Sequence, residues 1–143
     1  MGSGAPIDVR VLGPVVVVRD GEALSLGGPR PRALLAFLAL QAGRAVSAAR
    51  LAAELWGDDP PPTATSSLHV HLSTLRRALG ARLRTTGGGY VLDVARADVD
   101  ALRFEQAVAE ARDLAEDPGA AAAFLREALA AWRGPAFDGI EPG

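Results

Sequence analysis

Between Thr63 and Leu92 this chain sets a leucine stripe beside a glycine-rich turn, and few folds accept that pair in that order. In TATSSLHVHLSTLRRALG, Leu68, Leu72, Leu75 and Leu79 recur at i, i+4, i+7 and i+11, which predicts a helix with one buried face. Thr63, Ser66, Val70, Ser73, Thr74 and Arg77 point away from the stripe, flanked by Ser67, His69 and Arg76. LRTTGGGYVL then predicts two short strands around Gly87-Gly88-Gly89. From Pro60 to Leu92 there are four arginines and no carboxylate. A helix face of small hydroxyls and arginine, without acid, suits the groove of a polyanion, and a helix followed by a hairpin at this spacing predicts a winged helix facing DNA.

The net charge of −2 argues against a nucleic-acid partner only until its distribution is examined. Residues 1–98 carry a net +3 and residues 99–143 a net −5, so the positive field lies where the helix and hairpin do. Every basic residue is arginine; the abundance of Ala, Gly and Pro points to GC-rich coding rather than to selection for guanidinium geometry. An apolar fraction of 49% supports a packed core, and 143 residues give one ordinary domain and part of a second. The longest apolar run, Ala33 to Leu40, falls well short of the ~20 residues that span a bilayer, so no membrane partner is expected. MGSGA at the start lacks the regions of a signal peptide and reads as an unstructured start or cloning remnant. Without cysteine there are no disulfides, thiolate metal sites or thiol catalysis, and the default compartment is the cytoplasm.

Ile7 to Leu26 reads as β structure: Asp8 to Leu12 alternates, Gly13-Pro14 turns, Val15 to Val18 is β-branched, and Asp20-Gly21 is a hairpin signal. Leu24-Ser25-Leu26 is expected to form a third strand. Arg32 to Gln41 is predicted helical and buried nearly all round, with Gly43 ending it. Ser47 is the expected N-cap of a helix over Ala48 to Trp56, closed by Gly57. Thr63 and Gly80 are the expected cap and C′ residue of the long helix. Beyond a connector over Asp93 to Asp98, amphipathic helices are expected over Val99 to Ala115 and Ala120 to Trp132, separated by a break at Asp117-Pro118-Gly119. Such a pair does not bury both its apolar faces alone, so it either packs on the first domain or begins a domain that is truncated here.

The pieces LLAFLAL, VSAARLAAELWG, LHVHLSTLRRAL and GGYVL resemble, in order and spacing, the winged-helix domain of OmpR/PhoB-type response regulators. LWG-x-x-P-P at Leu55 to Pro61 and AWRGPAF at Ala131 to Phe137 bring the resemblance closer to the Streptomyces antibiotic regulatory protein (SARP) family. That resemblance covers Val9 to about Phe137 and implies an α+β fold. An N-terminal antiparallel sheet and a winged helix-turn-helix over residues 7–96 would precede a tetratricopeptide-like helical hairpin over 97–143. The latter would be the first part of a bacterial transcriptional activation domain. It further implies a cytoplasmic, nucleoid-associated transcription activator. Its partners would be promoter direct repeats in double-stranded DNA, RNA polymerase and a second copy of itself on DNA. By position the family places base contacts at His69, Ser73 and Thr74, with His71, Arg76 and Arg77 nearer the phosphates. The helical wheel supports Ser73, Thr74 and Arg77 as base-facing, is weaker for His69, and puts His71 beside the apolar stripe. Without a receiver domain in this chain, phosphorylation control of the response-regulator kind is not expected.

Arg82 and Arg84 at the start of the hairpin, with Thr85 and Thr86, are candidates for phosphate contact, as are Ser66 and Ser67 at the head of the helix. Arg76 and Arg77 could equally be a solvated helix end that complements the macrodipole; the acid-free surroundings favour DNA. His69 and His71, two residues apart, face different sides and make a poor metal pair. The glycine run lacks the helix and Lys-Ser/Thr of a phosphate loop, so a β-turn is expected. Trp56 and Trp132 read as core packing, and Tyr90 as an anchor of the hairpin on the core. Neither a nucleophile–base arrangement, a paired-carboxylate site nor a cofactor motif is present, so no catalysis, cofactor or metal is expected. The competing reading is a protein-interaction module whose arginine face meets an acidic partner; a steep salt dependence of duplex binding discriminates the two.

Overall fold

The computed structural model describes residues 6–114 and 116–137; MGSGA, Ala115 and residues 138–143 lie outside the described part. Strand β1 (Ile7–Arg10) pairs antiparallel with β2 (Val16–Arg19) in the register Ile7↔Arg19 to Arg10↔Val16. The alternation puts Ile7, Val9 and Val17 into the core. Asp20 and Gly21 both have positive φ, 53° and 79°, and so form a two-residue turn of the type that matches strand twist. Pairing therefore begins at once, and β3 is Glu22–Ala23 rather than the expected Leu24 to Leu26. Leu24 still donates its N–H to Val17 O at 2.8 Å, after which the chain leaves the sheet and Leu26 enters the core.

Helix α1 (Pro29–Leu40) starts earlier than expected because Pro29 occupies its first turn, where proline's missing N–H costs nothing. Leu34, Leu35 and Leu38 are buried on it, with Phe37 and Leu40 partly so. In α2 (Ala48–Trp56) Ser47 caps as expected, its Oγ accepting from Arg50 N at 3.1 Å. The long helix α3 (Ala64–Leu79) buries Leu68, Leu72, Leu75 and Leu79, and Gly80 at φ 59° closes it. Thr63, the expected cap, makes no side-chain cap bond; its carbonyl instead accepts from Ser67 N and from the Ser66 hydroxyl.

After a short 3₁₀ turn, β4 (Leu83–Thr86) and β5 (Gly89–Leu92) form the hairpin, with Gly87 and Gly88 as its loop. Val46, ahead of α2, exchanges two backbone hydrogen bonds with Tyr90 at 2.8 and 2.9 Å and so ties the hairpin to the helices. That close approach explains Gly89: at φ 133°, a Cβ there would collide with the Val46 carbonyl.

The tail helices α4 (Asp100–Asp113) and α5 (Pro118–Leu129) differ in how they are held. Pro118 and Gly119 open α5 rather than separate two helices, because the Asp117 carboxylate accepts from Ala120 N at 3.1 Å and caps it. α4 belongs to the core of the preceding fold. Val99 bridges Val9, Leu102 is buried with it, and the buried Asp100 carboxylate accepts from Val11 N and Leu12 N at 2.8 and 3.1 Å. α5 buries no described residue completely and lies against α4. Trp132, expected in the core, is 40% exposed and meets Phe104 edge-on at 5.8 Å. The AWRGPAF segment returns to the β1–β2 turn: Arg133 N donates to Leu12 O, Phe137 N to Val11 O, and the Arg133 guanidinium to Pro14 O. Among the described residues no helix is long and apolar enough to cross a membrane.

Candidate nucleic-acid interface

The buried leucines of α3 define an opposite crest at about 100° per residue: Ser66, Val70, Ser73 and Arg77. All four are exposed, and Val70 is the most exposed of the large apolar side chains among the described residues, at 62%. Ser73 and Arg77 have no intramolecular partner among the described residues, so both keep their donors for a ligand. His69 is exposed on the flank nearer the hairpin. No carboxylate sits on α3 or the hairpin, which leaves the crest positive at its C-terminal half.

Thr74 departs from the expected base-facing role. Its hydroxyl donates to Val70 O at 3.1 Å, and its methyl lies where a Cβ on Gly27 would come within 2.9 Å. It joins α3 to the loop ahead of α1, and its polar atom is already satisfied by the helix. Ser66 likewise spends its hydroxyl on Thr63 O at 3.1 Å, while Ser67 is half-buried. His71 is half-buried beside α1: burial, then the nearby Arg30 charge, hold its imidazole below the usual 6.5. It is therefore neutral at pH 7 and offers an N–H rather than a charge.

On the opposite flank Arg76 stitches helix to hairpin, donating to the Thr85 hydroxyl at 2.7 Å and to Leu83 O at 3.4 Å. Arg82, expected at phosphates, is only 8% exposed, and its guanidinium donates to Asp93 O at 3.1 Å. Its reversal follows from its place at the end of the 3₁₀ turn over Gly80–Arg82, from which its guanidinium reaches the connector after β5 instead of solvent. Thr86 is occupied too, accepting from Gly88 N at 3.2 Å and donating to Gly89 O at 3.4 Å within the turn. Arg84 stays exposed, with only a surface ion pair to Asp93 at 3.6 Å, the kind worth under about 1 kcal/mol. The structure thus leaves Val70, Ser73 and Arg77 exposed on the crest of α3 with His69 on its flank, links Arg76 to Thr85 beside it, leaves Arg84 exposed on the hairpin, and takes Thr74 and Arg82 into the framework. Val70 was in the outward-facing set of the helical wheel, but its apolar side chain carried no polar signal that marked it as a contact.

Known proteins are similar to this chain over most of its length. The family described as "Transcriptional regulatory protein, C terminal" matches residues 21–92, and "Bacterial transcriptional activator domain" matches residues 99–143. The chain is 36% identical over 144 residues to the transcriptional regulator RedD of Streptomyces coelicolor, covering 94% of this chain and 41% of RedD. It is 35% identical over 151 residues to the regulatory protein DnrI of Streptomyces peucetius, covering 96% of this chain and 56% of DnrI. It spans about half the length of these relatives. The solved structure of Mycobacterium tuberculosis EmbR in complex with a low-affinity phosphopeptide matches with a TM-score of 0.84 at 31% identity, over 94% of this chain and 38% of that one. Sheet, winged helix and tail helices are all within the matched length. An OmpR/PhoB-like winged helix followed by a segment that matches the bacterial transcriptional activator domain is thus what this sequence encodes, and the chain belongs to the Streptomyces antibiotic regulatory protein family.

Proposed function

We propose that the chain binds duplex DNA sequence-specifically, with α3 in the major groove and the β4–β5 wing on the flanking backbone, and that it serves transcription activation. The observation that carries this reading is the acid-free crest of α3, where Ser73 and Arg77 stand exposed and unengaged. Arg77, with a planar fork of donors, suits the O6/N7 edge of guanine, and Ser73 accepts or donates to either partner. Arg76, Arg84 and Thr85 suit phosphates, which position the protein without carrying sequence information. In this reading residues 7–96 read DNA and residues 97–143 begin the part that meets neighbouring protein, RNA polymerase among it, in the cytoplasm. A single helix reads one short groove segment, so two copies on direct repeats about 10–11 bp apart account for operator affinity.

Affinities for a selected duplex and a scrambled one across a salt series test the reading. Arg77→Ala is expected to lose about 1–3 kcal/mol on the selected duplex and to relax preference at one position. Arg84→Ala is expected to weaken both duplexes alike and lower the salt slope by about one. Wild-type affinity in both variants, each still folded, would refute the mechanism.

A further inference from the structure

The two flanks of α3 are not equivalent. Arg76 links one to the wing. The other, carrying His71 and Thr74, faces the loop ahead of α1 and that helix's first turn. There Gly27, Pro29, Arg30, His71 and Thr74 border an open hollow of about 450 Å³ with no carboxylate in its lining. A neighbouring hollow of about 440 Å³ shares Gly27 and Thr74 and is bordered by Arg77. The two therefore run side by side along α3, with Arg30 at one end and Arg77 at the other. Arg19 also borders the second hollow, opposite Glu22 in the β2–β3 register.

Arg30 is exposed, and its guanidinium sits 5.3 Å from the centroid of the Trp56 ring at the end of α2. A cation–π contact with the ring restrains the guanidinium's position while leaving N–H donors free for a ligand. No carboxylate pairs with it among the described residues. A guanidinium held in place, unpaired, and set beside an imidazole N–H is a shape that takes a tetrahedral oxyanion.

We infer that Arg30, with His71 beside it, binds a DNA phosphate on the flank of α3 opposite the wing, so that the groove helix is held by backbone contacts on both sides. The inference rests on the reading of α3 as the groove helix. It has a mechanical rationale, since a helix clamped only through the wing is free to rock about that edge, whereas a second backbone contact across the groove fixes its tilt and the aim of Arg77. Trp56 then acts as the platform that positions the Arg30 cation, a role the packing reading of that residue did not include.

The full 143-residue chain, a duplex selected by it from a random pool and a scrambled duplex supply the test, with Arg30→Ala, Arg30→Gln and Arg30→Lys beside wild type. Alanine and glutamine are expected to weaken both duplexes by the same factor, about three- to tenfold, and to lower the salt slope by about one; lysine is expected to restore the slope. Glutamine keeps the side-chain stem near Trp56 and so reads charge alone if the alanine variant melts early. Replacing single phosphates by methylphosphonate should reveal one position that weakens wild type and leaves Arg30→Gln unchanged. A wild-type slope in Arg30→Gln, with Arg77→Ala still relaxing sequence preference, overturns the Arg30 site and leaves the groove reading standing. Absence of salt-dependent duplex binding by wild type overturns both.

Discussion

At the scale of single residues, two carboxylates connect the tail to the sheet, and they do so by different physics. Asp100 is 2% exposed and accepts two backbone N–H groups just beyond β1, which no other group is placed to satisfy. Asp100→Ala strands both donors in the core and is expected to cost about 2–5 kcal/mol, read as a lowered midpoint in urea unfolding. Asp8 is an ion-pair centre. Burial would raise its carboxyl, but hydrogen bonds from Arg10 at 2.7 Å and Arg103 at 3.0 Å, with their charges, outweigh it and hold it below the ordinary 3.8. A folded value below the unfolded one stabilises the protein above pH 3.8, and that contribution is lost as pH falls through the folded value. The difference in melting temperature between wild type and Asp8→Asn should therefore be full above pH 3.8 and shrink below it. A constant difference through that range would show that the pair contributes nothing through its charge.

At the scale of elements, the wing is positioned by backbone on one side and by a side chain on the other. Two Val46–Tyr90 hydrogen bonds fasten it to the α1–α2 loop, and Arg76 fastens it to α3. The first of these needs Gly89 without a Cβ. Gly89→Ala is expected to cost about 1–3 kcal/mol and to release the wing first, seen as faster amide exchange at Tyr90 than at Leu72. The reading of this hairpin from its glycines was sound about the turn and silent about the docking, because Gly89 owes its place to Val46, forty-three residues earlier, and not to its neighbours. The same holds for Thr74 and Arg82. The wheel and the charge count placed them on the outer surface, whereas Gly27 and Asp93, brought close only by folding, engage them instead.

At the scale of the whole molecule, the core extends past the hairpin into α4. The sequence places a boundary near residue 96, where composition turns acidic, and removal of the tail is expected on that basis to leave the winged helix intact. In the structure Val99 and Leu102 lie at 0% and 4% exposure in the core, and Asp100 satisfies the backbone after β1, so removal at that point is expected to cost stability. A chain ending at 96 loses two buried side chains worth about 1.5–3 kcal/mol each and that carboxylate, a large share of a typical domain's 5–15 kcal/mol. It is expected to be substantially unfolded at 37 °C by circular dichroism, whereas a chain ending at 114 keeps these groups and retains a cooperative melt. Similar melts for the two would place the boundary back at 96.

The order of elements, the leucine stripe of α3, the Ser47 cap and the turns at Asp20-Gly21 and Gly80 were legible from the chain alone, because each follows from local periodicity or from the backbone preference of one or two residues. So was the polarity of the exposed crest of α3, which needs only the helical repeat and a count of charges. Tertiary structure alone decided which polar groups on that surface are free. It fixed the start of α4 in the sheet's core, brought AWRGPAF back to the β1–β2 turn, and set Arg30 beside His71. These contacts join residues far apart in sequence, and local pattern carries no term for a neighbour that arrives only when the core closes.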